Sequence, residues 1–183
     1  MIAHSPQSSN AWTHGSPRVK KIIGIAEMAF SQSPNEVLVT YALGSCLGVT
    51  VFDPEVGVGG LLHLMLPQGS ISPEKAAQNP LMFADTGLPK LFLGSYALGA
   101  KKERLVVTVA GGAAFAAGEN PDQGVGQRNI AMLRKVLWKN GVLLKKHELG
   151  GTDPRNMSLD LRTGAVTLGF GNETRVLYEG NER

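Results

Sequence analysis

Cys46 is the only cysteine in a chain of 183 residues, and it closes the stretch Thr40-Tyr41-Ala42-Leu43-Gly44-Ser45-Cys46. His63 follows on the far side of an expected hairpin. A lone thiol makes neither an intrachain disulfide nor a multi-cysteine metal site, which leaves two readings: a small buried apolar group, or a nucleophile served by a base. A thiol hydrolase needs a thiolate, a base that takes the thiol proton and later returns it to the leaving group, and a third group that fixes the tautomer of that base. Cys46, His63 and Thr40 have the right chemistry for the three parts. Gly44 and Ser45 permit a tight turn whose backbone N–H groups face an oxyanion. His63 is embedded among Leu61, Leu62, Leu64 and Met65, where an unpaired imidazole would be costly. Spacing alone leaves the plainer reading open, with Cys46 as packing, His63 as a satisfied core histidine and Thr40 as an ordinary strand residue.

The elements that must position these residues can be read from apolar periodicity and turn chemistry. Val19 to Ile25 reads as a strand, Ser31 to Asn35 as a turn, and Glu36 to Ala42 as a strand ending at Leu43-Gly44-Ser45. A strand from Cys46 to Phe52 turns at Asp53-Pro54-Glu55-Val56-Gly57 and returns from Val58 to Leu66, where Pro67 stops it. This places Thr40, Cys46 and His63 on adjacent extended segments. Leu81, Ala84, Leu88, Leu91, Phe92 and Ser95 keep helical spacing, with Pro89 forcing a start near Thr86. Leu105 to Ala110 is a continuous apolar run, the mark of a strand covered on both faces, and Gly111-Gly112 ends it. A helix is expected from Gly126 to Lys139, stopped by Asn140-Gly141. Three strands follow at Val142 to Leu149, Met157 to Leu161 and Ala165 to Phe170, with Thr163-Gly164 as a hairpin turn and Arg175 to Tyr178 as an edge strand. The sum is an α/β fold, a layered sandwich of mixed β-sheets flanked by helices in a single domain over residues 18 to 183. Residues 1 to 17, rich in Ser, Asn and Pro, read as a flexible N-terminal tail.

Composition removes several function classes. The chain is long enough to bury about 70% of its extended surface. It is 43% hydrophobic and 18% charged, with 23 glycines, which indicates a loop-rich globular protein. The net charge is +3, but the basic residues are scattered or paired, as at Lys20-Lys21 and Lys101-Lys102, with acids close by. No nucleic-acid stripe results. The uncharged stretch from Val37 to Phe52 is too short to span a bilayer, so no membrane insertion is expected. No secretory signal is legible, and a cytoplasmic protein with a reduced thiol is expected. Val109-Ala110-Gly111-Gly112-Ala113 lacks the Gly-Lys-Ser/Thr ending of a phosphate loop. His4, His14 and His147 have no partners at ligand spacing, so neither metal nor cofactor is expected.

The block from Val39 to Val49, followed by Phe52-Asp53-Pro54 and Gly59-Gly60-Leu61-Leu62-His63-Leu64-Met65-Leu66-Pro67, resembles the signature of the chemoreceptor glutamine deamidase family, CheD. Further similarity lies at Phe83-Ala84-Asp85-Thr86, Ala110-Gly111-Gly112-Ala113, Gly126-Gln127-Arg128-Asn129, and Gly150-Gly151 with Arg155, so that it extends from residue 20 to about 170. The resemblance implies a Cys-His-Thr triad of Cys46, His63 and Thr40. The implied chemistry is conversion of glutamine to glutamate through a thioester, with hydrolysis of glutamate methyl esters by the same groups. Implied partners are the cytoplasmic domains of methyl-accepting chemoreceptors and a CheC-type phosphatase. The alternative is a non-catalytic adaptor, binding receptor or phosphatase. Gly44 and Ser45 would shape the site or the oxyanion hole, and Asp85 and Arg155 would touch substrate or brace the structure.

Overall fold

A computed structural model describes residues 18–114 and 124–180; the expected N-terminal tail lies outside them. Ten strands and three α-helices follow in chain order: β1 Val19–Ile22, β2 Met28–Ser31, β3 Glu36–Leu43, β4 Leu47–Asp53, β5 Val58–Leu64, α1 Pro73–Gln78, α2 Ala84–Ala97, β6 Val106–Gly111, α3 Val125–Lys139, β7 Lys146–Leu149, β8 Arg155–Asp160, β9 Val166–Phe170 and β10 Glu173–Tyr178. They form two five-stranded sheets, ordered β1-β3-β8-β9-β10 and β2-β5-β4-β6-β7. Both sheets are mixed: β1 runs parallel to β3 and β6 parallel to β7, while the other pairs are antiparallel. The expected α/β sandwich is therefore the observed architecture.

The order of the layers follows from burial. Every residue of β4 and β5 is buried, which requires cover on both faces of their sheet. On one face Leu47, Val49, Val51, Leu62 and Leu64 pack against Leu88, Leu91, Ile130 and Leu133 of the helices. On the other, Phe52 and Leu61 meet Leu38, Leu43, Leu159 and Leu168 of the second sheet. Each of these side chains contributes about 1.5–3 kcal/mol through its removal from water. The second sheet is the outer layer, and β8 alternates buried and half-buried residues accordingly.

Several expected boundaries shift. β1 stops at Ile22 rather than Ile25, because the chain turns through Ala26 at φ 58° and the Glu27 carboxylate takes the Gly24 N–H at 2.8 Å. β2 was not expected; it pairs with the outer edge of β5. Pro89 sits inside α2, which begins at Ala84 and not near Thr86. The helix start is held by other bonds: Ala84 N–H donates to Leu66 O at 2.8 Å, and the Asp85 carboxylate accepts the Gly69 N–H at 3.0 Å. The β4–β5 turn carries more than turn chemistry. Asp53 is fully buried, accepts the Glu55 N–H at 3.0 Å, and binds Arg104 Nη2 at 2.7 Å. Burial would raise its carboxyl, but Arg104 and the N–H groups of Lys101 and Glu55 together hold it below its ordinary range.

The chain crosses from the outer to the middle sheet between β3 and β4, through Gly44, Ser45 and Cys46. The register of β3 against β8 slips between Thr40 and Leu43, and Ala42 lies at φ 57° in that bulge. The turn after β6 receives the crossing: Gly112 N–H donates to Cys46 O and Ala113 N–H to Gly44 O, each at 2.9 Å. Gly111 has φ 115°, and a Cβ there would collide with the Cys46 carbonyl oxygen, which is backbone and cannot step aside. Gly111→Ala is expected to destabilise the protein by about 2 kcal/mol or more. The denaturant midpoint measures this, and a midpoint equal to wild type would show that the crossing tolerates a side chain.

Candidate active site

His63 lies on β5, paired with Gly48 of β4. Its side chain faces the outer sheet, because Leu62 and Leu64 on either side pack toward the helices. Cys46 is two residues before Gly48 and packs on the same side as Leu61 and Leu43. Thiol and imidazole thus face the same layer of the sandwich, with Cys46 one residue before the start of β4. The sulfur is half-buried, whereas His63 is 1% exposed.

Thr40 is placed differently from expectation. It lies on β3 of the outer sheet, which is not a strand neighbour of β4 or β5. It reaches His63 from the opposing layer, across the interior of the sandwich. Its hydroxyl is 2.7 Å from His63 Nδ1 and donates to Ile23 O at 2.8 Å. A hydroxyl has one hydrogen. With that hydrogen committed to the Ile23 carbonyl, Thr40 Oγ1 must accept from Nδ1–H, and the neutral ring carries its lone pair on Nε2. Among the described residues Nε2 has no hydrogen-bond partner, Cys46 included.

Burial sets the charge state of both groups. It lowers the His63 pKa from 6.5 to about 4. It raises the Cys46 thiol above 9.0, partly opposed by the residue's own backbone N–H. At neutral pH the site holds a neutral imidazole beside a neutral thiol. The sign of the linkage follows: the stability gained by keeping His63 neutral is complete above pH 6.5 and is lost as pH falls toward about 4. That gained by keeping Cys46 neutral is complete below pH 9.0 and is lost as pH rises through the raised value.

The segment before the thiol is held at three successive carbonyls. Gly44 O accepts from Ala113 N and Cys46 O from Gly112 N. Ser45 O accepts from Asn129 Nδ2 at 2.9 Å, and the same amide nitrogen donates to Met65 O at 3.0 Å. Asn129 is wholly buried on α3 and was not singled out from the sequence, although it closes the stretch Gly126-Gln127-Arg128-Asn129. A polar residue on the buried face of a helix was the signal present. Gly126 allows α3 to approach the turn, since a Cβ there would press on Gly112 O and Ala113 O.

Asp85 and Arg155 lie outside this constellation of contacts. Asp85 holds the Gly69 N–H with both carboxylate oxygens, at 3.0 and 3.1 Å. The Arg155 guanidinium, 3% exposed, donates to the carbonyls of Glu148 at 3.1 Å, Gly150 at 2.5 Å and Asp153 at 2.9 Å. It thereby closes the loop between β7 and β8, whose Gly151 O accepts from Ala114 N at 2.9 Å.

The family model described as CheD chemotactic sensory transduction matches residues 65–169. That span begins just beyond His63, but similar proteins reach further toward the N-terminus. A probable chemoreceptor glutamine deamidase CheD 1 of Syntrophus aciditrophicus is 47% identical over 145 residues, covering 79% of this chain and 90% of its own. A matched span of that length in 183 residues cannot miss the segment from Thr40 to His63, wherever it starts. A probable chemoreceptor glutamine deamidase CheD of Solibacter usitatus is 43% identical, covering 80% and 86% of the two chains. One from Methanococcus maripaludis is 32% identical, covering 85% and 97%. With a matching family model and relatives this similar along nearly their whole length, the chain belongs to the CheD family.

Proposed function

We propose that this protein is a chemoreceptor glutamine deamidase that works through Cys46, His63 and Thr40. The observation that carries the reading is the hydrogen-bond chain from His63 Nδ1–H through the Thr40 hydroxyl to Ile23 O, which leaves Nε2 as a free base on the face shared with Cys46. The names of the relatives point to the substrate, a glutamine side chain on a chemoreceptor, and the cytoplasm is the compartment assigned to the encounter in this reading. No helix among the described residues is long and apolar enough to cross a membrane.

The neutral resting pair dictates the order of events. An ion pair lies uphill when the imidazole titrates near 4 and the thiol above 9.0, so the thiol proton moves to Nε2 as the sulfur attacks the carboxamide carbon. The bond between sulfur and Nε2 tightens when substrate closes the site. Backbone N–H groups at Ser45 and Cys46 receive the oxyanion. The imidazolium, stabilised by Thr40, gives its proton to the amide nitrogen, the C–N bond breaks, and ammonia leaves a thioester on Cys46. Water then attacks the thioester, its proton passing to Nε2. Glutamate is released, and the proton returns to the sulfur. The same sequence opens a glutamate methyl ester with methanol as the leaving group. Asp85 and Arg155 are assigned to bracing the walls of the site. A CheC-type phosphatase is a candidate partner. A receptor-binding adaptor without turnover is the competing reading, and the measurements below separate the two.

Incubation with a purified receptor signalling domain should release ammonia and give deamidated peptides by mass spectrometry. Cys46→Ala and His63→Ala should each lower the rate by at least about 10³-fold with unchanged circular dichroism. Wild-type turnover by either variant would exclude the mechanism. Thr40→Ala should lower kcat by about 10²-fold with little change in KM; a defect confined to KM would remove Thr40 from its orienting role. The profile of kcat/KM should be flat across neutral pH, with its acid limb near pH 4 and its alkaline limb above pH 9.0. An acid limb at 6.5 would mean a solvated His63.

A further inference from the structure

Asn129 joins two chain segments through one nitrogen, and the geometry fixes which atom does so. Nδ2 lies 2.9 Å from Ser45 O and 3.0 Å from Met65 O. Both neighbours are acceptors, so turning the amide over would set Oδ1 against two carbonyl oxygens. In the observed orientation Oδ1 is buried without a partner among the described residues.

The two carbonyls belong to the segments that carry the nucleophile and the base. Ser45 immediately precedes Cys46, and Met65 is two residues beyond His63. No peptide bond among the described residues is cis, and in a trans peptide C=O and N–H point in opposite directions. Drawing the Ser45 carbonyl toward α3 therefore turns the Cys46 N–H away from α3. That N–H belongs to the thiol's own residue, where it opposes the rise that burial gives the thiol; during attack the negative charge develops on the carboxamide oxygen, one bond from the carbon that the sulfur joins. Gly112 N–H holds the following carbonyl, so the peptides on both sides of Cys46 are fixed.

We propose that Asn129 is a positioning residue for the reaction: by holding the Ser45 and Met65 carbonyls with a single amide, it aims the Cys46 N–H as an oxyanion donor and sets the spacing of thiol and imidazole. The inference rests on the deamidase reading for its kinetic consequence but not for its effect on thiol chemistry.

The test uses Asn129→Leu, which keeps the approximate size of the side chain and removes the donor, in the full chain. Two quantities are measured: deamidation kinetics on a receptor signalling domain, and the pH dependence of Cys46 alkylation by iodoacetamide, which needs no receptor. We expect kcat to fall by about 10²-fold with KM changed no more than about twofold, and the alkylation profile to move to higher pH as the thiolate loses a donor. A wild-type kcat, or an alkylation profile that superimposes on wild type in a folded variant, would overturn the assignment, whatever the change in melting temperature. If circular dichroism shows that Asn129→Leu does not fold, Asn129→Ala carries the same expectations. Should the wild-type protein release no ammonia from receptor, the deamidase reading fails, and the alkylation comparison still decides the position of Asn129.

Discussion

One hydroxyl joins the two sheets where an imidazole would otherwise be buried without a partner. Thr40 reaches from the outer sheet to His63 in the middle sheet and has its own hydrogen committed to Ile23. Each part of that chain depends on a different element: Thr40 on β3, His63 on β5, and the Ile23 carbonyl just past β1. If the outer sheet slid by one residue, Thr40 would face away from the interior. The packing of Leu38, Leu43, Leu159 and Leu168 against Leu61 and Phe52 is therefore also what fixes the tautomer of His63. Core packing and site chemistry are one constraint at this point.

A second constraint acts on the segment that carries Cys46. Gly44, Ser45 and Cys46 lie where the chain leaves one sheet for the other, and no strand ladder supports them. Their carbonyls are instead taken by Ala113, Asn129 and Gly112. Backbone can approach backbone this closely only where side chains are missing, which explains glycine at 111 and 126. The crossing is thus pinned by hydrogen bonds at three successive carbonyls without belonging to a regular element.

Much of this was legible in the sequence because it is local. The β4–β5 hairpin follows from the Asp53-Pro54 turn between two apolar runs, and α3 from its apolar stripe and the Asn140-Gly141 stop, with Gly141 at φ 58°. That Cys46 and His63 face the same layer follows from strand alternation once the hairpin is given. What the sequence hid was non-local. β2 has four residues and no period long enough to read, and it exists because β5 offers an edge. Thr40 was expected on a segment adjacent to those of Cys46 and His63 and stands instead in the opposing sheet, since periodicity assigns a residue to a face but not to a sheet. Asn129 looked like part of a helix start, and its partners are 84 and 64 positions away. Pro89 was read as a boundary, but the bonds that start α2 come from segments flanking Leu66 and Gly69.

The half-buried sulfur has a consequence beyond the reaction. Peroxides attack thiolates far faster than thiols, and susceptibility follows thiolate character together with exposure. A nucleophile stored as an ion pair is always available to them. Burial keeps Cys46 protonated and His63 neutral at neutral pH. In that state the lone cysteine, half-buried and protonated, is a slow target for peroxide.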